Sequence, residues 1–414
     1  MVADRVAHSQ PVDVRSWCPV RVRNPRTRTA VLLGRLASRV SRRLNLGEGA
    51  VIGGRVTLAL DPRALSRLAA GRRVVLVSGT NGKTTTAHML AAALRTRGPV
   101  AHNATGANMP DGAVAALLVQ PQAGHAVLEV DELYLGEVAA AVGPAAVVLL
   151  NLSRDQLDRG SEVRAVAATV SAALAGHPEV LVIANADDPV LVDAVGCAAR
   201  VVWVAAGTDW RADAGVWQDA AGRSRPRPTW TVAKSAIEGP HGTTALHLAL
   251  PGSFNLGNAA LAMAAADALG VPSDRAAAAL AVLEKVAGRY SVVGRGAQVL
   301  HLLLAKNPAG WAALLPLLAH APSFLLAVNA READGRDTSW LWDVPFEQLP
   351  ARPTVASGER AADLGLRLSY ADREHSTEPD PIRALDLLPA GDVFVVANYT
   401  AFTWLHKHLA AREP

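Results

Sequence analysis

The segment Val74-Val75-Leu76-Val77-Ser78-Gly79-Thr80-Asn81-Gly82-Lys83-Thr84-Thr85-Thr86-Ala87-His88-Met89-Leu90-Ala91-Ala92-Ala93-Leu94 decides the reading of this chain. Its opening run is continuously aliphatic, the pattern of a strand buried on both faces. The Ala- and Leu-rich stretch Thr85–Arg95 reads as a helix. Between them stand Gly79, Thr80, Asn81, Gly82, Lys83, Thr84 and Thr85. Backbone N–H groups of such a turn, with a helix N-terminus behind them, form a cradle for phosphate oxygens. The Lys83 ammonium reaches the transferred phosphate, and the Thr84 hydroxyl is placed to bind Mg²⁺. An ordinary Gly-containing turn with a chance lysine is the plainer alternative. The strand before and the helix after are the context that a phosphate loop requires.

Outward from this loop the chain alternates between strand and helix. HAVLEV (125–130), AAVVLLNL (145–152) and VLVIANADDP (180–189) read as strands, and 162–175 as a helix. This alternation predicts an α/β fold whose parallel sheet is covered on both faces. Upstream, 28–46 has helical spacing with arginines between its apolar positions, and Gly47–Gly54 reads as a Gly-rich turn. Residues 205–240 break the rhythm with Gly, Pro, Arg and Trp and read as an inserted excursion. Segment 241–255 leads as a strand into a helix at 258–269. A second α/β unit is expected from near Ala297, with strands QVLHLLLA, SFLLAVN, TSWLWDV and GDVFVVAN. Strand alternation in TSWLWDV puts Trp340 and Trp342 on one face.

Candidate site residues cluster after strand ends. Glu129 closes HAVLEV and is followed by Asp131 and Glu132. A carboxylate at a strand's carboxyl end, beside a phosphate loop, suits Mg²⁺ held against triphosphate oxygens. Asn185-Ala186-Asp187-Asp188-Pro189 follows the next-but-one strand, although an Asx-Pro turn explains it equally well. Asn255 and Asn258 offer amide donors and acceptors suited to a base edge, or else cap the helix after them.

These motifs together resemble the Mur ligase family. The compact GTNGKTTT loop, Glu129, the run Asn151-Leu152-Ser153-Arg154-Asp155-Gln156-Leu157-Asp158-Arg159, NADDP and Gly252-Ser253-Phe254-Asn255-Leu256-Gly257-Asn258 all have counterparts there. Gly288-Arg289 resembles the family's hinge arginine. Gln156 stands where many members carry a histidine that helps bind a second metal. RDQLDR, Lys306-Asn307-Pro308, and the stretch from Asn329 through Asp334-Gly335-Arg336-Asp337 to Ser339-Trp340-Leu341-Trp342-Asp343 are similar to the MurT branch. The resemblance covers about residues 28–410.

The resemblance implies a Mur ligase-like central P-loop domain at 28–290 and a smaller, Rossmann-like α/β domain at 291–414, after a basic leader at 1–27 expected to be disordered. It implies ATP and Mg²⁺ as cofactors. Gly79–Thr85, Asn255, Asn258 and Arg289 would hold the nucleotide, and Thr84 and Glu129 the metal. Lys306, Asp343 and Asp337 are the catalytic candidates. The implied reaction amidates the D-glutamate α-carboxyl of the lipid II stem peptide through an acyl phosphate. The ammonia would come from a GatD-type glutamine amidotransferase subunit, whose histidine Asp343, or failing it Asp337, would orient. Many members of the branch carry a four-cysteine zinc ribbon in the excursion. No cysteine stands there in this chain, so no zinc is expected. An amino-acid-adding or folylpolyglutamate-type ligase, a P-loop ATPase without ligase activity and a catalytically silent scaffold are the alternatives.

Two further features favour the amidating reading. Only about seventy residues precede the phosphate-loop strand, short for a separate nucleotide-sugar domain when domains usually need roughly 50–200. The only cysteines are Cys18 and Cys197, neither on the strained turn that an activated glutaminase thiolate needs. Two cysteines also exclude a disulfide framework, and a reducing cytoplasmic setting at the inner membrane face is expected. No apolar run reaches the roughly 18–20 residues of a membrane span. Residues 1–46 hold ten arginines against Asp4 and Asp13, a local +8 in a chain of net +4, so 47–414 carries −4. Such an arm suits anionic surfaces or plain solvation. A single aromatic, Trp17, stands among its arginines, and the lack of regular interleaving argues against nucleic acid.

Overall fold

The computed structural model describes residues 24–43, 50–153, 163–206, 225–283 and 289–410. Three helices come first: α1 (Pro25–Arg43), α2 (Ala50–Leu60) and α3 (Ala64–Ala69). The phosphate-loop unit follows as β1 (Arg73–Ser78), α4 (Lys83–Arg95), β2 (Val100–His102), α5 (Pro110–Val119) and β3 (His125–Glu129). Next are α6 (Leu135–Val142), β4 (Ala146–Leu149), α7 (Val163–Ala175), β5 (Leu181–Asn185), α8 (Pro189–Val195) and β6 (Val201–Ala205). A meander β7 (Trp230–Ala233), β8 (Ala236–Gly239) and β9 (Gly242–Ala245) leads to α9 (Phe254–Ala268) and α10 (Ser273–Ala281).

Among the described residues these strands form one sheet in the order β2-β3-β1-β4-β5-β6-β7-β8-β9. It is parallel from β2 to β7 and antiparallel beyond. Strand β1 shows why its sequence is continuously apolar. Val74 and Leu76 point into the core under α5 to α8, whereas Val75 and Val77 point into the core under α4, α9 and α10. Because β1 lies between β3 and β4, the connections from these strands run to opposite sides. A crevice therefore opens at their carboxyl ends, where ligands of open α/β sheets bind.

The second sheet is built from β10 (Tyr290–Arg295), β11 (Gln298–Leu304), β12 (Phe324–Ala327), β13 (Thr354–Ser357), β14 (Ser376–Thr377) and β15 (Gly391–Ala397). Its order is β10-β11-β15-β12-β13-β14, parallel except for the β10 edge. Helices α11 (Pro308–Leu318) and α12 (Ala361–Tyr370) cover one face, and α13 (Pro381–Asp386) and α14 (Tyr399–Ala410) the other.

Four local expectations change. The stretch Gly47–Gly54 is not simply a turn, because Gly53 and Gly54 lie inside α2. A Cβ on Gly53 would sit 2.8 Å from the Gly34 carbonyl oxygen, and one on Gly54 1.9 Å from that of Asp111. The glycines let α2 press against α1 and α5. TSWLWDV is not a strand, because Ser339–Asp343 forms a 3₁₀ turn. At about three residues per turn, i and i+2 point to different sides, so Trp340 is buried at 3% exposure while Trp342 is 53% exposed. The second sheet starts at Tyr290 rather than Ala297, with an antiparallel strand that period alone did not separate. Residues 230–239 of the expected excursion belong to the main sheet, with Gly239 packed beneath the Trp230 ring. The part at 207–224, and with it any metal site there, lies outside the described residues.

Candidate functional site

The loop after β1 is held in place from the next strand. Thr80 N–H donates to the Asn151 carbonyl at 2.9 Å, and Ser153 N–H to the Thr80 hydroxyl at 3.0 Å. Asn81 and Asn151 exchange a reciprocal pair, with Asn81 N–H to Asn151 Oδ1 at 2.9 Å and Asn151 Nδ2 to the Asn81 carbonyl at 3.0 Å. Asn151 is thus a brace for the loop. Gly82 stands at φ +86° immediately before α4, and a Cβ there would meet Asn258 Oδ1 at 2.6 Å. Both the left-handed backbone and the close approach require glycine. The first turn of α4 is buried, and Lys83 and Thr85 line the crevice.

Lys83 Nζ lies 3.0 Å from Glu132 Oε2. Burial works against its charge, but the carboxylates of Glu132, Glu129 and Asp131 outweigh this and hold the ammonium's pKa above its ordinary value. Glu129 is 1% exposed, and neither of its carboxylate oxygens has a hydrogen-bond partner. Burial pushes its pKa up, against the pull of Arg289, Lys83 and the neighbouring Thr84 hydroxyl, which approaches without reaching full hydrogen-bond geometry. Arg289 Nη2 donates to the Thr84 hydroxyl at 2.9 Å. Thr84 Oγ1, Glu129 Oε2 and Arg289 Nη2 all lie within 3.9 Å of the place a Cβ on Gly106 would occupy. A hard cation needs oxygen ligands, and a buried carboxylate with unused lone pairs beside a hydroxyl is such a set. The residues present therefore fit Mg²⁺, and Glu129 and Thr84 are the side chains that would hold it.

Other predicted residues converge on the same cleft, about 330 Å³ in volume. Lys306 and Arg289 line it, as do Asn255 and Asn258. Both asparagines lie inside α9, with Asn258 Nδ2 donating to Asn255 Oδ1 at 3.2 Å, so neither caps that helix. Asn307 Nδ2 donates to Asn81 Oδ1 at 3.2 Å and ties the second sheet's α11 to the phosphate loop. Sequence reasoning missed Gly106, Asn103 and Tyr290, and gave Phe254 no role of its own within its motif. Asn103 fixes the Glu129 backbone by two bonds of 2.8 Å, and the two aromatics form an apolar wall of the cleft. A lone Asn or Gly in a loop gives no periodic signal.

Some candidates do structural work instead. Asp187 N–H donates to Asn185 Oδ1 at 2.9 Å as an Asx turn, and Asp188 caps α8 through Leu191 N–H at 3.1 Å. Asn329 and buried Asp334 bond to Thr400 and join the carboxyl ends of β12 and β15. Asp343 and Asp337 are exposed and do not line the cleft; Asp337 accepts from Ser339 N–H at 2.8 Å. Gln156 and its neighbours at 154–162, Gly288 and Cys18 lie outside the described residues.

Two sequence-family descriptions match the chain. "Mur ligase middle domain" matches residues 77–266, and "MurT ligase C-terminal" matches 304–402. The MurT subunit of lipid II isoglutaminyl synthase (glutamine-hydrolyzing) from Streptococcus pneumoniae is 27% identical, over 94% of this chain and 98% of its own. The Staphylococcus aureus (strain N315) subunit of the same name is 28% identical, over 84% and 88%. The chain belongs to the Mur ligase family. Its Mur ligase fold is seen also in MurF from Acinetobacter baumannii, with a TM-score of 0.68 at 18% identity over 86% of this chain and 81% of that one. MurF ligase from Thermotoga maritima, solved in complex with ADP, has a TM-score of 0.65 at 18% identity over 86% and 85%. On this Mur ligase scaffold the phosphate loop, Glu129 and Arg289 sit where the middle domain faces the MurT-type C-terminal domain.

Behind α4, His88 and His102 meet edge to face with ring centroids 4.5 Å apart. Both His102 ring nitrogens are buried without hydrogen-bond partners. Burial first, and then the charges of His88 and Arg95, push its pKa down to about 3. An imidazole neutral in the fold but titrating near 6.5 when unfolded removes stability as pH falls below 6.5. Between pH 7 and pH 5 the wild-type protein is expected to lose about 2 kcal/mol more than His102→Phe. Urea denaturation at both pH values measures this, and equal losses would place the imidazole's pKa near its ordinary value.

Proposed function

We propose that this Mur ligase is the synthetase subunit of an amidating enzyme. It would use ATP to activate the α-carboxyl of D-glutamate in the lipid II stem peptide and ammonia to convert it to D-isoglutamine. One observation carries the reading: a buried, unpartnered Glu129 carboxylate converges with Thr84 and Arg289 beside Lys83 of a phosphate loop. The MurT-type C-terminal match and the full-length relatives supply the amidating branch.

In this reading the Gly79–Thr85 backbone cradles the nucleotide's phosphates, while Asn255 and Asn258 face its base. Lys83 and Arg289 supply positive charge where the γ-phosphoryl group develops negative charge in transfer. Bound at Glu129 and Thr84, Mg²⁺ would neutralise phosphate charge. The substrate carboxylate attacks the γ-phosphorus, and ADP leaves. Ammonia then attacks the acyl carbon, orthophosphate departs, and the nitrogen loses a proton. Lys306, in the cleft wall, is our candidate to hold the carboxylate or acyl phosphate.

The ammonia needs a source. Cys197 is exposed, and among the described residues its sulfur hydrogen-bonds to Ser171 and the Ala194 carbonyl rather than to a base that would activate a thiolate. A GatD-type glutaminase subunit would supply ammonia. Its docking face would include exposed Trp342, stacked edge to face on exposed Tyr370 at 5.2 Å, next to Asp343. Aromatic anchors of this kind dominate protein interfaces. The lipid-borne acceptor would bring the enzyme to the inner membrane face.

Glutamine-dependent amidation is expected to require the second chain, with high ammonium partly replacing it. Asp343→Asn is expected to lower the partner's glutaminase activity by about 10²–10⁴-fold, because an amide cannot stabilise an imidazolium. It should leave the ammonium-driven reaction largely intact. Mass spectrometry of lipid II with each nitrogen donor reads both effects. Loss of the ammonium reaction with glutaminase spared would move the shared role to Asp337. Turnover with amino acids in place of ammonia would return the chain to the amino-acid-adding class.

A further inference from the structure

Helices α1 and α2 lie side by side with a close glycine contact between them. A Cβ on Gly34 would stand 2.5 Å from the Gly53 carbonyl oxygen. Ala30 and Val31 of α1 turn inward, and Thr57 of α2 is fully buried against the Gly53 and Ala30 carbonyls. Among the described residues nothing covers the opposite side. Leu33, Leu36 and Val40 recur on α1 at i, i+3 and i+7, and Ile52, Val56 and Leu60 on α2 at i, i+4 and i+8. Both are single-face helical spacings. These six line one shallow, almost wholly apolar groove, and five of them, Val56 excepted, are 36–55% exposed.

The charge on the two helices themselves has one sign, although Arg55 pairs with Asp111 of α5 at 3.5 Å. Arg28, Arg39 and Arg43 on α1 and Arg55 on α2 are exposed, and neither helix contains an acidic residue. The sequence before α1 adds Arg5, Arg15, Arg21 and Arg23 against Asp4 and Asp13. Contiguous exposed apolar surface on a soluble domain marks an interaction site. Apolar side chains on one helix face with arginines at its borders match the interface of an anionic bilayer, where the aliphatic CH₂ and CH₃ groups enter and guanidinium groups stay among the headgroups. A protein partner would be met more economically by mixed charges.

We propose that the α1–α2 face is a membrane-docking surface that seats the chain on bilayers containing anionic phospholipid. The surface lies on helices separate from the nucleotide cleft and does not rest on the amidation reading, since vesicles without any lipid II are its ligand. Two contributions act together: screened attraction to the headgroups, and burial of the leucine and valine side chains, which salt does not weaken.

The test is co-sedimentation of the full chain with phosphatidylcholine vesicles and with vesicles containing phosphatidylglycerol. Binding is expected for the phosphatidylglycerol vesicles, weaker by roughly fivefold for each of Arg39→Gln and Arg43→Gln. Leu36→Gln/Val40→Gln should weaken it at least about tenfold, with the circular dichroism spectrum unchanged. Leu36→Trp should show a blue-shifted emission on phosphatidylglycerol vesicles, a direct report of insertion. Equal binding to both vesicle types, or unchanged binding by Leu36→Gln/Val40→Gln, would overturn the proposal. So would loss of all binding on deleting residues 1–24, with that double variant binding as wild type. If sedimentation equilibrium shows a dimer that Leu36→Gln/Val40→Gln dissociates, and vesicles are not bound, the face is an interface between two copies instead.

Discussion

Lys83→Ala is expected to remove ATP-driven amidation by at least about 10²–10³-fold, the scale for losing one preorganised charge at a transferring group. The ammonium is buried at the first position of α4, among three carboxylates that keep it charged. No other lysine precedes it in the chain, and the next, Lys234, lies on the β7–β8 turn. The variant has a structural consequence as well. Glu132, 3.0 Å from Nζ and 8% exposed, loses its partner, and an orphaned buried charge destabilises. Lys83→Ala/Glu132→Ala removes that charge too and should recover stability without recovering turnover. Product formation and thermal denaturation, measured on both variants, separate chemistry from folding. Wild-type rates from a folded Lys83→Ala protein would sink the nucleotide assignment.

Glu129→Gln is expected to act in the opposite way on stability. Its two oxygens are buried and unpartnered without ligand, and burial raises its pKa. A group whose folded pKa lies above the unfolded one weakens the fold where it is ionised. Neutralising it should leave the ligand-free protein at least as stable at pH 7. Activity should nonetheless fall about a hundredfold or more, because a metal-ligating carboxylate is lost. The stabilisation that Mg²⁺ with ADP gives the wild type should shrink correspondingly. A thermal shift assay with and without Mg²⁺–ADP reads this without any turnover. An unaltered ligand shift in Glu129→Gln would remove Glu129 from the metal site.

The sequence by itself determined the phosphate loop and the parallel sheet around it. The reason is local: a strand buried on both faces must be continuously apolar, and a phosphate cradle needs glycines and a lysine at fixed offsets before a helix. Val74–Val77, Gly82 and Lys83 satisfy those demands within ten residues. Glu129 was legible for a similar reason, as the carboxylate that ends a buried strand. Only the tertiary structure decided what depends on neighbours distant in the chain. Gly53 and Gly54 looked like a turn because helix packing against Gly34 and Asp111 leaves no mark in a short window. Trp340 and Trp342 looked alike because period 2 was assumed where a 3₁₀ turn splits them between core and surface. Asn151 proved to brace the loop across 70 residues, and Arg289 reaches Thr84 across 205. Gly106, at φ +76°, turns the backbone past the point where Thr84, Glu129 and Arg289 meet. Such convergence is a property of three-dimensional proximity, set by where the sheet reverses its winding, and no spacing along the chain encodes it.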